Sequence, residues 1–307
     1  MCRKDFIKPP LTFAEQLELL KSRGLIVTNQ TKALNYLSRI GYYRLRPYAI
    51  EFQINSYTDQ YRSDVYIEQI IGLYNFDRSL RSVFSEAIES FEISLRTHFA
   101  NYLSCKNKDP FVYLNKDEFR LNSVDRQNNY NKLLEKISDN CKNSQELFIA
   151  HFKETYWDKT SSLHPPIWMI TEILTLGQLS KIIYLLNSSN QKKLANIYGM
   201  DRDSFLSFLK VITTVRNLSA HHARLWNRRF TSVINSNIFN DSELTEALNR
   251  KERNKIYNII LVLFHALSKV NAPSKILQQV KTLINKYNID THKMGFPDNW
   301  KEITYWK

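Results

Sequence analysis

The sequence predicts an all-α fold, and three observations carry that reading. Only 6 glycines and 8 prolines interrupt 307 residues, too few for a turn-rich β architecture. Apolar residues recur every three or four positions over 66–104: Leu73, Phe76, Leu80, Val83, Phe84, Ala87, Ile88, Phe91, Leu95, Phe99 and Tyr102. Helix start and stop signals flank further periodic stretches, beginning with Thr12 and Glu15, spaced as a capping box.

Taken in order, Thr12 opens a first helix that Gly24 can end, and a second runs from about Thr31 to Ile40, stopped at Gly41. Two short helices about a turn fit a helix-turn-helix or an ordinary helical hairpin. Tyr42, Tyr43, Arg44, Arg46 and Tyr48 then interleave rings with cations. That pattern suits base stacking and phosphate contact, or equally packing at a domain junction. In the 66–104 helix, Glu89, Glu92 and Arg96 fall on or near the face opposite the apolar stripe, and His98 falls within it. Glu92 and Arg96, at i,i+4, are either a solvated ion pair or part of a stripe facing an active site or a second subunit.

Residues 105–160 are polar with weaker periodicity and read as an insertion of one or two helices without a chemical motif. Pro165 and Pro166 open an apolar helix from Ile167 to Leu186, interrupted at Gly177. Another starts near Asp201 and buries Phe205, Leu206, Phe208, Leu209, Ile212 and Val215. Helices near 241–270 and 273–287 complete the chain. The expected organisation is a lead-in with a basic, aromatic surface over 1–60, a helical domain over 61–290 and a tail over 291–307.

Formal net charge is +13 and uneven. Residues 19–50 hold no Asp or Glu, and residues 173–240 hold nine cations against only Asp201 and Asp203. Such clustering attracts phosphate backbones by counterion release. Cys2, Cys105 and Cys141 are scattered and odd in number, which argues against a zinc finger or a disulfide framework. Neither a signal peptide nor a run of about 18 apolar residues is evident. A cytoplasmic protein without a membrane role is expected.

The most informative stretch is Arg216 to Arg229, RNLSAHHARLWNRR, which holds no carboxylate. Metal-independent RNA cleavage needs a base for the 2′-hydroxyl and a fixed cation for the charged transition state, the roles histidine and arginine fill. With 18 arginines and 7 histidines, an Arg-to-His spacing of five to seven arises about once by chance. The specificity lies in the company: Asn217, the His221–His222 pair, and Arg224, Trp226, Arg228 and Arg229, which are expected to contact RNA. On a continuous helix Arg216 and His221 stand about 140° apart, so Arg216 must reach round or the helix must end near Ser219, whereas Asn217 and His221 share a face. Two copies about a two-fold axis would bring two arginines and two histidines into one cleft, so a homodimer with a composite site is expected. The adjacent histidines diverge and no acid accompanies them, so neither a metal site nor another cofactor is expected. Serine or cysteine nucleophile motifs and Gly-rich phosphate loops are absent as well.

Five pieces in order, LTFAEQLELLKSRGL, IGYYRLRPYAIEF, YNFDRSLRSVFSEAIESFEISLRTHFANYLS, PPIWMITEILTLGQLSKI and TVRNLSAHHARLWNRRF, resemble the Abi family of bacterial abortive-infection proteins, the AbiD/AbiF-like group. That group is similar to the HEPN superfamily of all-α domains, many of them endoribonucleases with an Arg-polar-variable-His hallmark. The resemblance implies a HEPN-like helical bundle that cuts RNA to 2′,3′-cyclic phosphate and 5′-hydroxyl ends. His221 or His222 would act as base or acid, Arg216 would stabilise the phosphorane and Asn217 would position the site. It further implies a toxin of phage defence, controlled by a small noncoding RNA. The tyrosine that HEPN toxins silenced by AMPylation carry two positions after the histidine is replaced here by Ala223 or Arg224, so that control is not expected. Arg96-Thr97-His98 does not make a second copy of the motif. The competing reading is a catalytically silent RNA-binding module or scaffold of a defence ribonucleoprotein.

Overall fold

The threonine hydroxyl of Thr12 accepts the Glu15 N–H, and the Glu15 carboxylate accepts the Thr12 N–H at 2.7 Å, so the capping box opens α1 (Phe13–Ser22). At its end Gly24, at φ +89°, turns the chain, while Leu25 N–H donates to Leu20 O and Gly24 N–H to Lys21 O. Asn29 caps α2 (Gln30–Ile40), Gly41 ends it, and α3 (Tyr42–Ala49) follows. These observations come from a computed structural model that describes residues 9–55, 58–235, 241–272 and 274–307. Cys2 lies outside the described residues.

Two units divide the chain. The first takes in Met1–Ser79 and Leu283–Ile289. Leu17, Leu20, Leu37, Leu45, Ile67 and Ile70 are buried there, and the Tyr48 hydroxyl donates to the buried Asp77 carboxylate at 2.6 Å. The periodic stripe forms α4 (Ile67–Asn107), which begins in the first unit and continues in the second.

The second unit comprises Leu80–Thr282 and Asp290–Lys307. It contains α5 (Val124–Asn143), α6 (Leu147–Tyr156), α7 (Ile167–Ile173), α8 (Leu176–Leu185), α9 (Ser188–Ile197), α10 (Arg202–Ala220), α11 (Ser242–Ala247), α12 (Ile256–Lys269) and most of α13 (Ile276–Tyr287). Helix α10 packs on α8, α9 and α12. Helix α12 is buried almost all round, from Ile256 to Leu267, as a helix without a polar face must be. Among the described residues there are thirteen α-helices and no strand, only three isolated bridges. The fold is all-α, as composition and periodicity require.

Two local expectations need correction. The expected helix Ile167–Leu186 is two helices, broken at Leu174–Thr175 rather than at Gly177: Thr175 caps α8 and forms a capping box with Gln178. The stretch 241–270 is likewise split, with residues 248–255 between α11 and α12. The tail is irregular but packed: Phe296, Trp300 and Trp306 are each at most 4% exposed and close on Tyr257 of α12.

Candidate functional site

Asp201 caps α10 by accepting the N–H groups of Asp203 and Ser204. From that start the helix buries Phe205, Phe208, Leu209, Ile212 and Val215. Phe208 meets Phe91 of α4 edge-on, with ring centroids 5.2 Å apart, and Phe91 also meets Tyr198. This packing sets the register between the two helices and brings Arg216, two turns beyond Phe208, beside Glu92.

A groove of about 430 Å³ lies there. One wall is a single stripe of α4, Ser85, Ile88, Glu89, Glu92, Ile93 and Arg96, and the other is Arg216 and Ala220 of α10. Glu92 is 7% exposed, so the pair it makes with Arg96 is sheltered rather than solvated. Its Oε1 accepts from Arg96 at 2.5 Å, and Arg96 also donates to Leu174 O at 2.9 Å where α7 ends. Its Oε2 faces Arg216 Nε at 3.8 Å. The Arg216 side chain is 42% exposed and open to the groove.

Helix α10 ends at Ala220, one residue past Ser219, so His221 lies at the helix end rather than within it. His221 is the C-cap, and His222 takes the left-handed conformation at φ +56°. Ala223 N–H donates to Leu218 O and His222 N–H to Ser219 O, the same hydrogen-bond pattern that Gly24 makes after α1. Both histidines are exposed, as is Asn217. Neither histidine lines the groove, although His221 directly follows the lining residue Ala220.

Beyond the cap the chain is anchored by Leu225 and Phe230, both buried, and by Asn227, whose side-chain oxygen accepts from Lys255 at 2.6 Å. Arg228 Nε donates to Arg224 O at 2.7 Å, and Arg229 stands 3.3 Å from Glu252. Trp226 is only 3% exposed. Its ring fixes this turn and offers no face for a base, which corrects the expectation that it contacts RNA. Arg224 is half-buried and Arg229 exposed.

The remaining expected RNA contacts belong to the first unit. Tyr43 is 74% exposed and Arg44 is exposed. Tyr42 accepts from Arg23 at 2.6 Å and Arg46 pairs with Asp59 at 3.4 Å, so those two are held by internal partners. The groove at Arg216 draws its lining wholly from the second unit. Sequence patterning does not mark Ser85, Ile88 or Ile93 as site residues. The signal for them is the spacing that ties Glu89, Glu92 and Arg96 together, extended one turn either way.

Fold and site together define an all-α protein in which an open arginine, beside a buried glutamate paired with a second arginine, precedes an exposed histidine pair at a helix end. A family model described as Abi-like protein matches residues 35–227, more than half of the chain, and the chain belongs to that family. Membership ties it to abortive infection, the bacterial defence against phage. No curated protein and no solved structure matches it. No described helix is long and apolar enough to cross a membrane.

Proposed function

We propose that the chain is a metal-independent endoribonuclease of the HEPN type, acting as the toxin of an abortive-infection system. In this reaction His221 or His222 takes the proton from an RNA 2′-hydroxyl. The 2′-oxygen attacks the adjacent phosphorus, and the bond to the 5′-oxygen breaks as that oxygen gains a proton. The products are a 2′,3′-cyclic phosphate and a 5′-hydroxyl. Arg216 holds the phosphorane, whose extra negative charge is where a fixed cation contributes most, and Asn217 orients the helix end.

The observation that carries the reading is the half-exposed Arg216 side chain in a groove whose lining includes Ala220, the residue before the exposed His221–His222 pair. Because the groove lining includes Arg216 but neither histidine, the reading assigns the complete site to a homodimer, in which each copy presents its histidines to the partner's arginine. Glu89 and the 53%-exposed Ile93 then belong to the dimer face. A small noncoding RNA is the proposed controlling partner.

The test is to incubate wild type and the H221A/H222A double variant with RNA and analyse the 3′ ends. Cyclic-phosphate ends from wild type alone are expected. Equal cleavage by both proteins would remove the histidines from the mechanism. The absence of the histidines from the groove lining gives a second reading some support: a protein that binds RNA without cutting it. RNA binding with no cyclic-phosphate ends from any substrate would favour that reading.

A further inference from the structure

The insertion over 105–160, which carries no motif, contributes one wall of a second and larger groove. The groove measures about 880 Å³ and is framed by α5, α8 and α10 of the second unit. Lys132 and Lys136 stand one turn apart on α5, Lys181 projects from α8 and Lys210 from α10, and Arg126 adds a fifth cation from the start of α5. All four lysines are exposed, and no carboxylate is among the lining residues. The walls therefore set five positive charges around one trough, contributed by three helices far apart in sequence.

The trough also has apolar and aromatic character. Leu133, Leu185 and Leu209 are buried at its floor, and Tyr184, 55% exposed, lies at its side with the Arg126 guanidinium 4.9 Å over its ring. Asn129 and the amide N–H groups of Gln178, whose side-chain oxygen serves the α8 capping box, add uncharged polar groups. A backbone-tracking row of cations, an aromatic platform and neutral polar groups are the three components of a single-stranded nucleic-acid channel. A duplex offers its bases no access to such a platform.

We infer that this groove binds single-stranded RNA at a site separate from the groove of Arg216. The four lysines neutralise successive phosphates, Tyr184 takes a base on its ring, and Asn129 and the Gln178 amide N–H groups face base edges. The choice of RNA over other polyanions rests on the ribonuclease reading, whereas the anionic, single-stranded character of the ligand follows from the groove itself.

The experiment measures binding apart from cleavage. A fluorescent, fully 2′-O-methylated single-stranded oligonucleotide, which lacks the nucleophile for cutting, is titrated with the full chain by anisotropy at several salt concentrations. The variants are K132A/K136A/K181A/K210A and Y184A. The fourfold variant is expected to bind at least tenfold more weakly. Its log–log salt slope should be shallower by about 3, near 0.7 for each phosphate no longer neutralised. Y184A should lose about fivefold or more in affinity with its salt slope unchanged. A 2′-O-methylated strand cannot be cut at all, so failure of the cleavage reading leaves this measurement untouched.

Folding of each variant is checked by circular dichroism, and the exposed lysines leave no packing to lose. Unchanged affinity and slope in a folded fourfold variant would overturn the proposal. So would displacement of the oligonucleotide by poly-glutamate at equal charge, which would assign the groove to an acidic protein segment.

Discussion

Arg216 Nε stands 3.8 Å from Glu92 Oε2, while the other oxygen of the same carboxylate is taken at 2.5 Å by Arg96. Glu92 is thus committed to Arg96 and only restrains Arg216, which keeps its guanidinium open to the groove. The arrangement orients a cation without neutralising it through a close two-pronged pair.

Under the ribonuclease reading, Glu92 is a positioning residue. In Glu92→Gln, Arg216 loses its restraint and the groove loses a negative charge. The expected result is a kcat lower by about tenfold, with KM for RNA unchanged or lower. Glu92→Asp should recover part of kcat. A purely structural role would instead lower stability and the active fraction without separating kcat from KM. Leaving the partly buried Arg96 without its ionic partner should also cost about 1–3 kcal/mol in urea unfolding.

His222 fills a left-handed position that Gly24 fills after α1. A side chain there carries a backbone penalty of about 1 kcal/mol that glycine avoids, offset in part by glycine's greater freedom when unfolded. His222→Gly is therefore expected to be neutral or stabilising by several tenths of a kcal/mol, measured by urea unfolding. Retained RNA cleavage in that variant would assign the chemistry to His221. Loss of cleavage with stability intact would assign it to His222.

Burial pushes the Cys141 thiol up to about 12, only partly opposed by Lys153, whereas Cys105 is exposed. Thiolate is the reactive form. Alkylation of the native protein, followed by peptide mass spectrometry, should label Cys105 within minutes and spare Cys141 until denaturant is added. Comparable labelling of both in native buffer would contradict the packing around α5.

Burial also holds His265 and His164 below the ordinary histidine value of 6.5. For His265 the hydrogen bond to Gly199 O and the nearby Asp241 carboxylate oppose the effect, and for His164 Lys142 reinforces it. A lowered folded pKa means that the unfolded chain binds the extra protons first. Stability is then fully present above about pH 6.5 and falls as pH drops through the lowered folded values. Urea midpoints between pH 7.5 and 5 should decline, and His164→Gln should flatten the slope. A flat profile for wild type would place both rings in contact with water.

The same contrasts explain what the residues disclosed before the fold was known. Thr12 and Glu15 were legible because a capping box is local, and the α4 stripe because a long helix repeats its period many times. Thr175 and Gln178 form an equally local box, but Gly177 drew the break toward itself although it sits comfortably inside α8. The burial of Glu92 was not legible: a helical wheel places it opposite the core, and its shelter comes from Arg96 and the end of α7, 78 residues from Arg96. Trp226 reads as an RNA contact beside three arginines, but tertiary packing claims it. The lysine groove was illegible for the same reason, since its cations are unremarkable in sequence until α5, α8 and α10 assemble.

The tail that closes on Tyr257 carries Trp300 and Trp306, and the remaining tryptophans, Trp157, Trp168 and Trp226, also fall within the second unit. The first unit holds none. Intrinsic tryptophan emission is therefore a selective optical probe of one unit, blind to melting of the other, while far-ultraviolet ellipticity sums over both. Running the two signals side by side through one denaturation ramp reads out, without any label, whether the two units lose structure in a single cooperative step or in succession.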